Sequence, residues 1–211
     1  MQEKTKLSHV TPRLTGLVLA AGRGKRFDPS GMSNKLSARL ADGKPVLQAS
    51  VEALAPWVDE IVLVVGPHSG LDDLIQSIHA PGCHVRSLVC PDADQGMSET
   101  VRCGLSGTSP ALGWLMALGD MPGIDASTYN AVIDGLEAGS KAVRPFYAGQ
   151  PGHPVGVSIS LRQEMMAARG EQGLALLLKN PATGLVKLPS QDSGCVADVD
   201  TPAQLISFPC R

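Results

Sequence analysis

Residues 14–27 read LTGLVLAAGRGKRF, and this stretch decides the fold. Its first eight positions run apolar or small without polar alternation, the pattern of a strand covered on both faces. A glycine-rich turn follows at once. A second apolar run, IVLVV at 61–65, closes on Gly66-Pro67 and reads as another buried strand. Between them, Val46, Leu47, Val51 and Leu54 fall near helical spacing, and Pro45 suits a helix start. The alternation continues with a helix at 71–78, a strand at 84–90 and a helix at 98–105 with Ser98 as its expected N-cap. A strand at 113–118 and a helix at 126–138 come next. Strands at 141–147 and 154–159 are joined by a turn at 149–153. Broken helical material at 161–180, a weak strand at 185–188 and a helix from Thr201 complete the chain. The expected fold class is α/β: a three-layer α/β/α sandwich, Rossmann-like, with a mostly parallel sheet and right-handed crossovers. Residues 14–211 are expected to form a single domain, preceded by a flexible N-terminus over 1–13.

Composition narrows the function. Lys+Arg number 18 against 20 Asp+Glu, a net charge of −2, which lacks the basic excess of a nucleic-acid binder. Two Trp, two Tyr and three Phe are too few for base-stacking platforms. The 43% hydrophobic content supports a real core, and no apolar run is long enough to suggest a membrane span. Residues 1–13 lack the apolar stretch of a signal peptide. The five cysteines form no CxxC pair and suit reduced thiols, so a cytoplasmic location is expected.

In doubly wound sheets, ligands bind beyond the carboxyl ends of the strands. Three distinctive segments fall there: the loop after Ala21, the loop after Leu118 and the turn after Tyr147. The first reads Leu19-Ala20-Ala21-Gly22-Arg23-Gly24-Lys25-Arg26-Phe27. Phe27 stands where a dinucleotide fingerprint needs its third glycine, and Leu19 and Arg26 both break a Walker A pattern. The loop still offers backbone amides beside Arg23, Lys25 and Arg26, with Lys35 nine residues beyond. Such a nest of amides and cations suits a polyanion such as a triphosphate; the alternative is a tight turn with solvated basic residues.

This loop, followed by Asn34-Lys35-Leu36, resembles the signature of the molybdenum cofactor cytidylyltransferases within the wider family of MobA-like nucleotidyltransferases. The resemblance continues through Pro91-Asp92-Ala93-Asp94-Gln95-Gly96-Met97-Ser98 and Gly119-Asp120-Met121-Pro122. It extends to Gly152-His153-Pro154-Val155 and Asp198-Val199-Asp200-Thr201-Pro202. These motifs occur in family order over nearly the whole chain beyond residue 13.

The resemblance implies a nucleotidyltransferase fold and transfer of CMP from CTP to the phosphate of molybdopterin, or of the molybdenum cofactor, with release of pyrophosphate. A molybdenum hydroxylase or its maturation chaperone is then the expected recipient. Leu19, Ala20, Ala21, Gly22, Arg23 and Gly24 would surround the nucleotide. Arg26 and Lys35 would neutralise the triphosphate and its leaving group. Gly96, Met97 and Ser98 would contact base and ribose, and His153 and Arg144 the acceptor.

Asp120 ends an apolar strand, where a carboxylate must be solvated, paired or metal-bound. Hard oxygen ligands there suit Mg²⁺ (or Mn²⁺), although Asp also favours turns before proline. Asp198 and Asp200 are expected to face opposite ways, so that Asp198 joins Asp120 as the second metal ligand while Asp200 caps the last helix. Asp92 and Asp94 read as solvated loop acids. His79, Cys83 and His84 match no common zinc spacing and read as chance packing.

The chain departs from its relatives in two places. Residues 28–33 lengthen the phosphate loop. In Gly170-Glu171-Gln172-Gly173, Glu171 stands in place of the family's Asp, and Ala175 stands where an arginine often follows. Two alternatives remain open at this point. One is a related enzyme using GTP or another nucleotide with a different phosphorylated acceptor, such as a sugar phosphate. The other is a non-catalytic pterin carrier, which would have no need of a metal–triphosphate site.

Overall fold

The computed structural model describes residues 13–22, 24, 27–28, 33–169 and 173–208. In chain order the elements are β1 (Leu14–Ala20), α1 (Val46–Leu54), β2 (Glu60–Val65), α2 (Asp72–Ser77) and β3 (His84–Val89). Then come α3 (Met97–Ser106), β4 (Gly113–Leu118), α4 (Ala126–Glu137), β5 (Ala142–Tyr147), β6 (Gln150–Pro151) and β7 (Val155–Ser158). The chain ends with α5 (Arg162–Ala167), α6 (Gly173–Lys179), β8 (Leu185–Ser190) and α7 (Pro202–Ser207).

The strands form one sheet in the order β3-β2-β1-β4-β7-β5, with β8 along β5 and the short β6 pairing the far end of β5. Pairs β1–β2, β1–β4, β2–β3 and β5–β8 are parallel. β7 lies antiparallel to both β4 and β5, so the sheet is mixed and mostly parallel. The reversal comes from the turn after β5, where Ala148 and Gly149 take positive φ (48° and 80°), the geometry of tight hairpin turns.

The uninterrupted apolar character of β1 and β2 has the expected cause. Both faces are covered, and period-2 alternation sends successive residues into two separate cores. Val18, Ala20, Ile61, Leu63 and Leu115 face the layer that holds α1 and α4. Leu17, Leu19, Val62, Val64 and Trp114 face the layer built on α3, α5 and α6. That is the three-layer sandwich read from the sequence.

Two local expectations shift. Gly96, with φ 120°, is the N-cap of α3, and Ser98 lies inside its first turn, 1% exposed. The N-cap therefore falls two residues earlier than expected, at the glycine whose backbone freedom lets it redirect the chain there. Of the stretch expected to be flexible, 1–12 lie outside the described residues. Arg13 itself is held: its backbone nitrogen donates to the Asp59 carboxylate at 2.8 Å, and its guanidinium pairs with Glu137 at 2.6 Å. Among the described residues, no helix is long and apolar enough to cross a membrane.

Candidate active site

The parallel strands β1 and β4 end side by side, Leu19 opposite Leu118. Their carboxyl ends, with the N-terminus of α3, border an open cavity of about 450 Å³. That volume lies in the range of small-molecule sites. Leu19, Ala20, Ala21, Gly22 and Gly24 form one wall, and Gly96 and Met97 face them from the start of α3. Lys35, Asp120, Asp198 and Asp200 close the polar end. Ten residues expected in the site from sequence therefore line one cavity. Ser98 is not among the residues that line it, and Arg23 and Arg26 lie outside the described residues.

Each polar group arrives for a local reason. Asn34 anchors its segment twice: its amide donates to the Ser69 carbonyl at 2.8 Å, and its side-chain oxygen accepts from the Leu36 backbone at 3.0 Å. Leu36 is buried in the core, so Lys35 between them is directed into the cavity. The Lys35 stem passes 3.5 Å from where a Cβ on Gly24 would stand, and Gly24 itself has φ +58°. The left-handed turn is what favours glycine at 24; the lysine stem passes at ordinary van der Waals distance. Asp120 follows Gly119, whose nitrogen donates to the Leu19 carbonyl (3.1 Å) and whose carbonyl accepts from the Ser50 hydroxyl (2.9 Å).

Lys35 Nζ is hydrogen-bonded to Asp120 Oδ2 and pairs with Asp200 Oδ1 at 3.3 Å. Burial acts most strongly on the Lys35 ammonium and works to lower its pKa. The hydrogen bonds and charges of Asp120 and Asp200 outweigh it, and the net shift is upward, so Lys35 is a cation at neutral pH. The Asp198 carboxyl is pushed above its ordinary value, first by burial and then by the charges of Asp200 and Asp120.

Asp120, Asp198 and Asp200 bring ligand oxygens within 4.8 Å of one another. This corrects the expectation that only one of Asp198 and Asp200 joins Asp120. The two are separated by a single residue, and on an extended backbone such positions share a face. Val199 between them turns the other way, 0% exposed, and its nitrogen donates to the Asp120 carbonyl at 2.9 Å. Asp200 does not cap α7. Thr201 and Gln204 form that capping box. Asp120 Oδ1 is buried and has no hydrogen-bond partner among the described residues. A buried carboxylate oxygen without a donor is costly, and an oxygen-seeking divalent cation would satisfy it. The acidic trio is the only metal-capable group among the described residues, so His79, Cys83 and His84 form none.

Arg144 and His153 are not among the residues lining the cavity. The Arg144 guanidinium donates to the carbonyls of Gly152 (2.9 Å) and Pro151 (3.5 Å). The His153 ring nitrogen Nδ1 donates to the Met116 carbonyl at 3.3 Å. Burial, and then the Arg144 charge, hold His153 down to about 4, so it is neutral at physiological pH. Sequence reasoning missed Thr100, which lines the cavity one turn into α3 and is 5% exposed. Helical spacing from Gly96 and Met97 was the signal that could have found it.

Residues 16–202 match the profile of the MobA-like NTP transferase domain. The chain belongs to that family. Among solved structures, it resembles the homologue of Mycobacterium tuberculosis Rv0371c from Mycobacterium sp. strain JC1, with 27% identity and a TM-score of 0.76. That match covers 93% of this chain and 96% of the other. It also resembles Rv0371c of M. tuberculosis H37Rv, solved in complex with manganese, with 23% identity, 93% and 100% coverage and a TM-score of 0.68. A curated relative, the bifunctional enzyme IspD/IspF of Gluconobacter oxydans, is 44% identical over 69 residues. The match takes in 31% of this chain and only 18% of that protein's length. As a MobA-like NTP transferase, the chain has the nucleotidyltransferase sandwich, and the cavity described above lies within the matched span.

Proposed function

We propose that the protein transfers CMP from CTP to the phosphate of molybdopterin or its metal-loaded form, releasing pyrophosphate. The observation that carries this reading is the meeting of Lys35 and three aspartates at the end of a cavity walled by a glycine loop and a helix N-terminus. In the reaction, an acceptor phosphate oxygen forms a bond to the α-phosphorus of CTP, and the bond from that phosphorus to the bridging oxygen breaks. Both partners are anions, so positioning and charge neutralisation supply most of the catalysis.

Gly22 and Gly24 leave backbone amides open to the triphosphate; a Cβ at Gly22 would meet nothing within 4 Å. The N-terminus of α3, which begins at Met97, favours negative charge at the same cavity. Lys35 serves as a compact point charge for the phosphates and the departing pyrophosphate. Arg26 and Arg23 are assigned to the same task, and Ser98, in the first turn of α3, to supporting the wall that Gly96 and Met97 form. Asp120, Asp198 and Asp200 would hold Mg²⁺ or Mn²⁺, and the unpartnered Asp120 oxygen is the feature that fits such an ion. A bound divalent ion would supply charge neutralisation on the phosphate oxygens. The carboxyls themselves fix where the phosphates can lie.

The recipient of the product is assigned as a molybdenum hydroxylase or its maturation chaperone. The stretch shared with the IspD/IspF enzyme favours a second reading, in which the same machinery serves another nucleotide or a different phosphorylated acceptor such as a sugar phosphate. Pyrophosphate release measured across CTP, GTP, ATP and UTP, with molybdopterin or a sugar phosphate present, separates the two. Release that requires CTP and the pterin supports the first reading. Release with another pair overturns it.

A further inference from the structure

Asp192 is 6% exposed, does not line the cavity, and no motif or mechanism discussed above uses it. Its carboxylate nevertheless accepts three hydrogen bonds. Oδ2 accepts from the Asp125 backbone nitrogen and the Thr128 hydroxyl, each at 2.8 Å, and Oδ1 accepts from the Gly194 nitrogen at 2.8 Å. These bonds join the start of α4 to the segment 192–200, which carries Asp198 and Asp200. The same segment is pinned by the His153 nitrogen on the Cys195 carbonyl (2.7 Å) and by the Val199 nitrogen on the Asp120 carbonyl (2.9 Å). Gly194 packs so closely that a Cβ there would stand 1.8 Å from the Gly123 carbonyl oxygen.

Such clamping has a physical purpose. Three carboxylates within 4.8 Å of one another repel, and the force acts to push the segment bearing two of them away from Asp120. A ligand set held against its own repulsion needs anchors outside the set. We infer that Asp192 is a positioning residue for the acidic trio: it fixes the backbone that carries Asp198 and Asp200 and thereby sets affinity for a divalent cation. This inference rests on the metal reading proposed above. It also gives His153 a place as a backbone clamp on the same segment.

The test is Mn²⁺ titration of the full chain without nucleotide, followed by electron paramagnetic resonance of free Mn²⁺, for wild type, Asp192→Asn and Thr128→Val. Thermal midpoints are measured in parallel. Asn cannot accept all three hydrogen bonds, and Val removes only the hydroxyl donor. Asp192→Asn is expected to weaken Mn²⁺ binding about 10–100-fold, the range for loss of an outer partner of a metal site. Its kcat at saturating metal should be retained. Thr128→Val should shift affinity in the same direction by less. A folded Asp192→Asn protein with wild-type Mn²⁺ affinity overturns the inference. If that variant does not fold, unchanged affinity in Thr128→Val overturns it. A wild-type protein that binds no Mn²⁺ overturns the metal reading itself, and this inference with it.

Discussion

Replacing Lys35 by Met should separate the two tasks of this lysine. In the structure it bridges Asp120 and Asp200, with side chains 13%, 14% and 17% exposed, which makes the pair neither a surface contact nor a deeply buried one. At 3.3 Å and an effective dielectric constant near 20, the gross attraction to Asp200 is about 5 kcal/mol. Desolvation of both partners offsets much of that. Removal also leaves three carboxylates within 4.8 Å of one another without their lysine. The net loss in EDTA should be about 2 kcal/mol, comparable to a charge-assisted hydrogen bond. For a chain of this size that lowers the thermal midpoint by about 4–8 °C. Saturating Mn²⁺ should restore most of the midpoint, because the cation replaces the missing positive charge among the carboxylates. It should not restore turnover. Loss of one preorganised electrostatic contact to the phosphates costs about 10²–10³ in rate. Differential scanning fluorimetry with EDTA or Mn²⁺, beside a pyrophosphate-release assay, reads both effects. An unchanged midpoint in EDTA, or wild-type turnover by the folded variant, would refute the reasoning.

Asp120→Asn should fold and lose roughly 10²-fold or more in turnover, and wild-type activity should vanish in EDTA; full activity without divalent metal contradicts this role. Ala21→Gly tests base choice. Ala21 lines the cavity and its φ is not positive, so its methyl acts only by filling space beside the nucleoside. A methyl of this kind is worth about 1–3 kcal/mol, so the CTP-over-GTP preference in kcat/KM should shrink by roughly 10–200-fold; equal values for both nucleotides in wild type would remove the basis for this role. His153 should impose an acid limit on stability. With its folded pKa held down to about 4 and an unfolded value near 6.5, the unfolded chain takes up the proton first. The neutral ring's contribution is complete above pH ~6.5 and is lost towards pH ~4, by at most about 3 kcal/mol. In His153→Gln, denaturant unfolding between those pH values should show a flatter slope, and an identical slope would sink the assignment.

The elements were legible because β1 and β2 are apolar on both faces and each ends in a glycine turn, so period and punctuation agree. The position of β7 was not legible. Nothing in Val155–Ser158 itself shows that it inserts antiparallel between β4 and β5. That choice is made by the turn at Ala148-Gly149 and by pairing partners distant in sequence. In the site, Asn34-Lys35-Leu36 could be read as a unit because the two neighbours serve as anchors for the lysine. Asp200 was misplaced through its geometry, since residues separated by one position share a face. Asp192 left no signal, because its partners Asp125 and Thr128 lie more than sixty residues away. His153 was recognisable within Gly152-His153-Pro154-Val155, and Arg144 was assigned with it to the acceptor, but only the structure shows their polar atoms committed to main-chain carbonyls.

The most direct test is to incubate the protein with α-³²P-labelled CTP, molybdopterin and Mg²⁺ and to identify the labelled product. The proposed function predicts label in a CMP–pterin pyrophosphate, formed with one equivalent of released pyrophosphate and only when the divalent ion is present. Label that stays in CTP under those conditions, while another nucleotide and phosphorylated acceptor react, would contradict the cytidylyl transfer proposed for this protein.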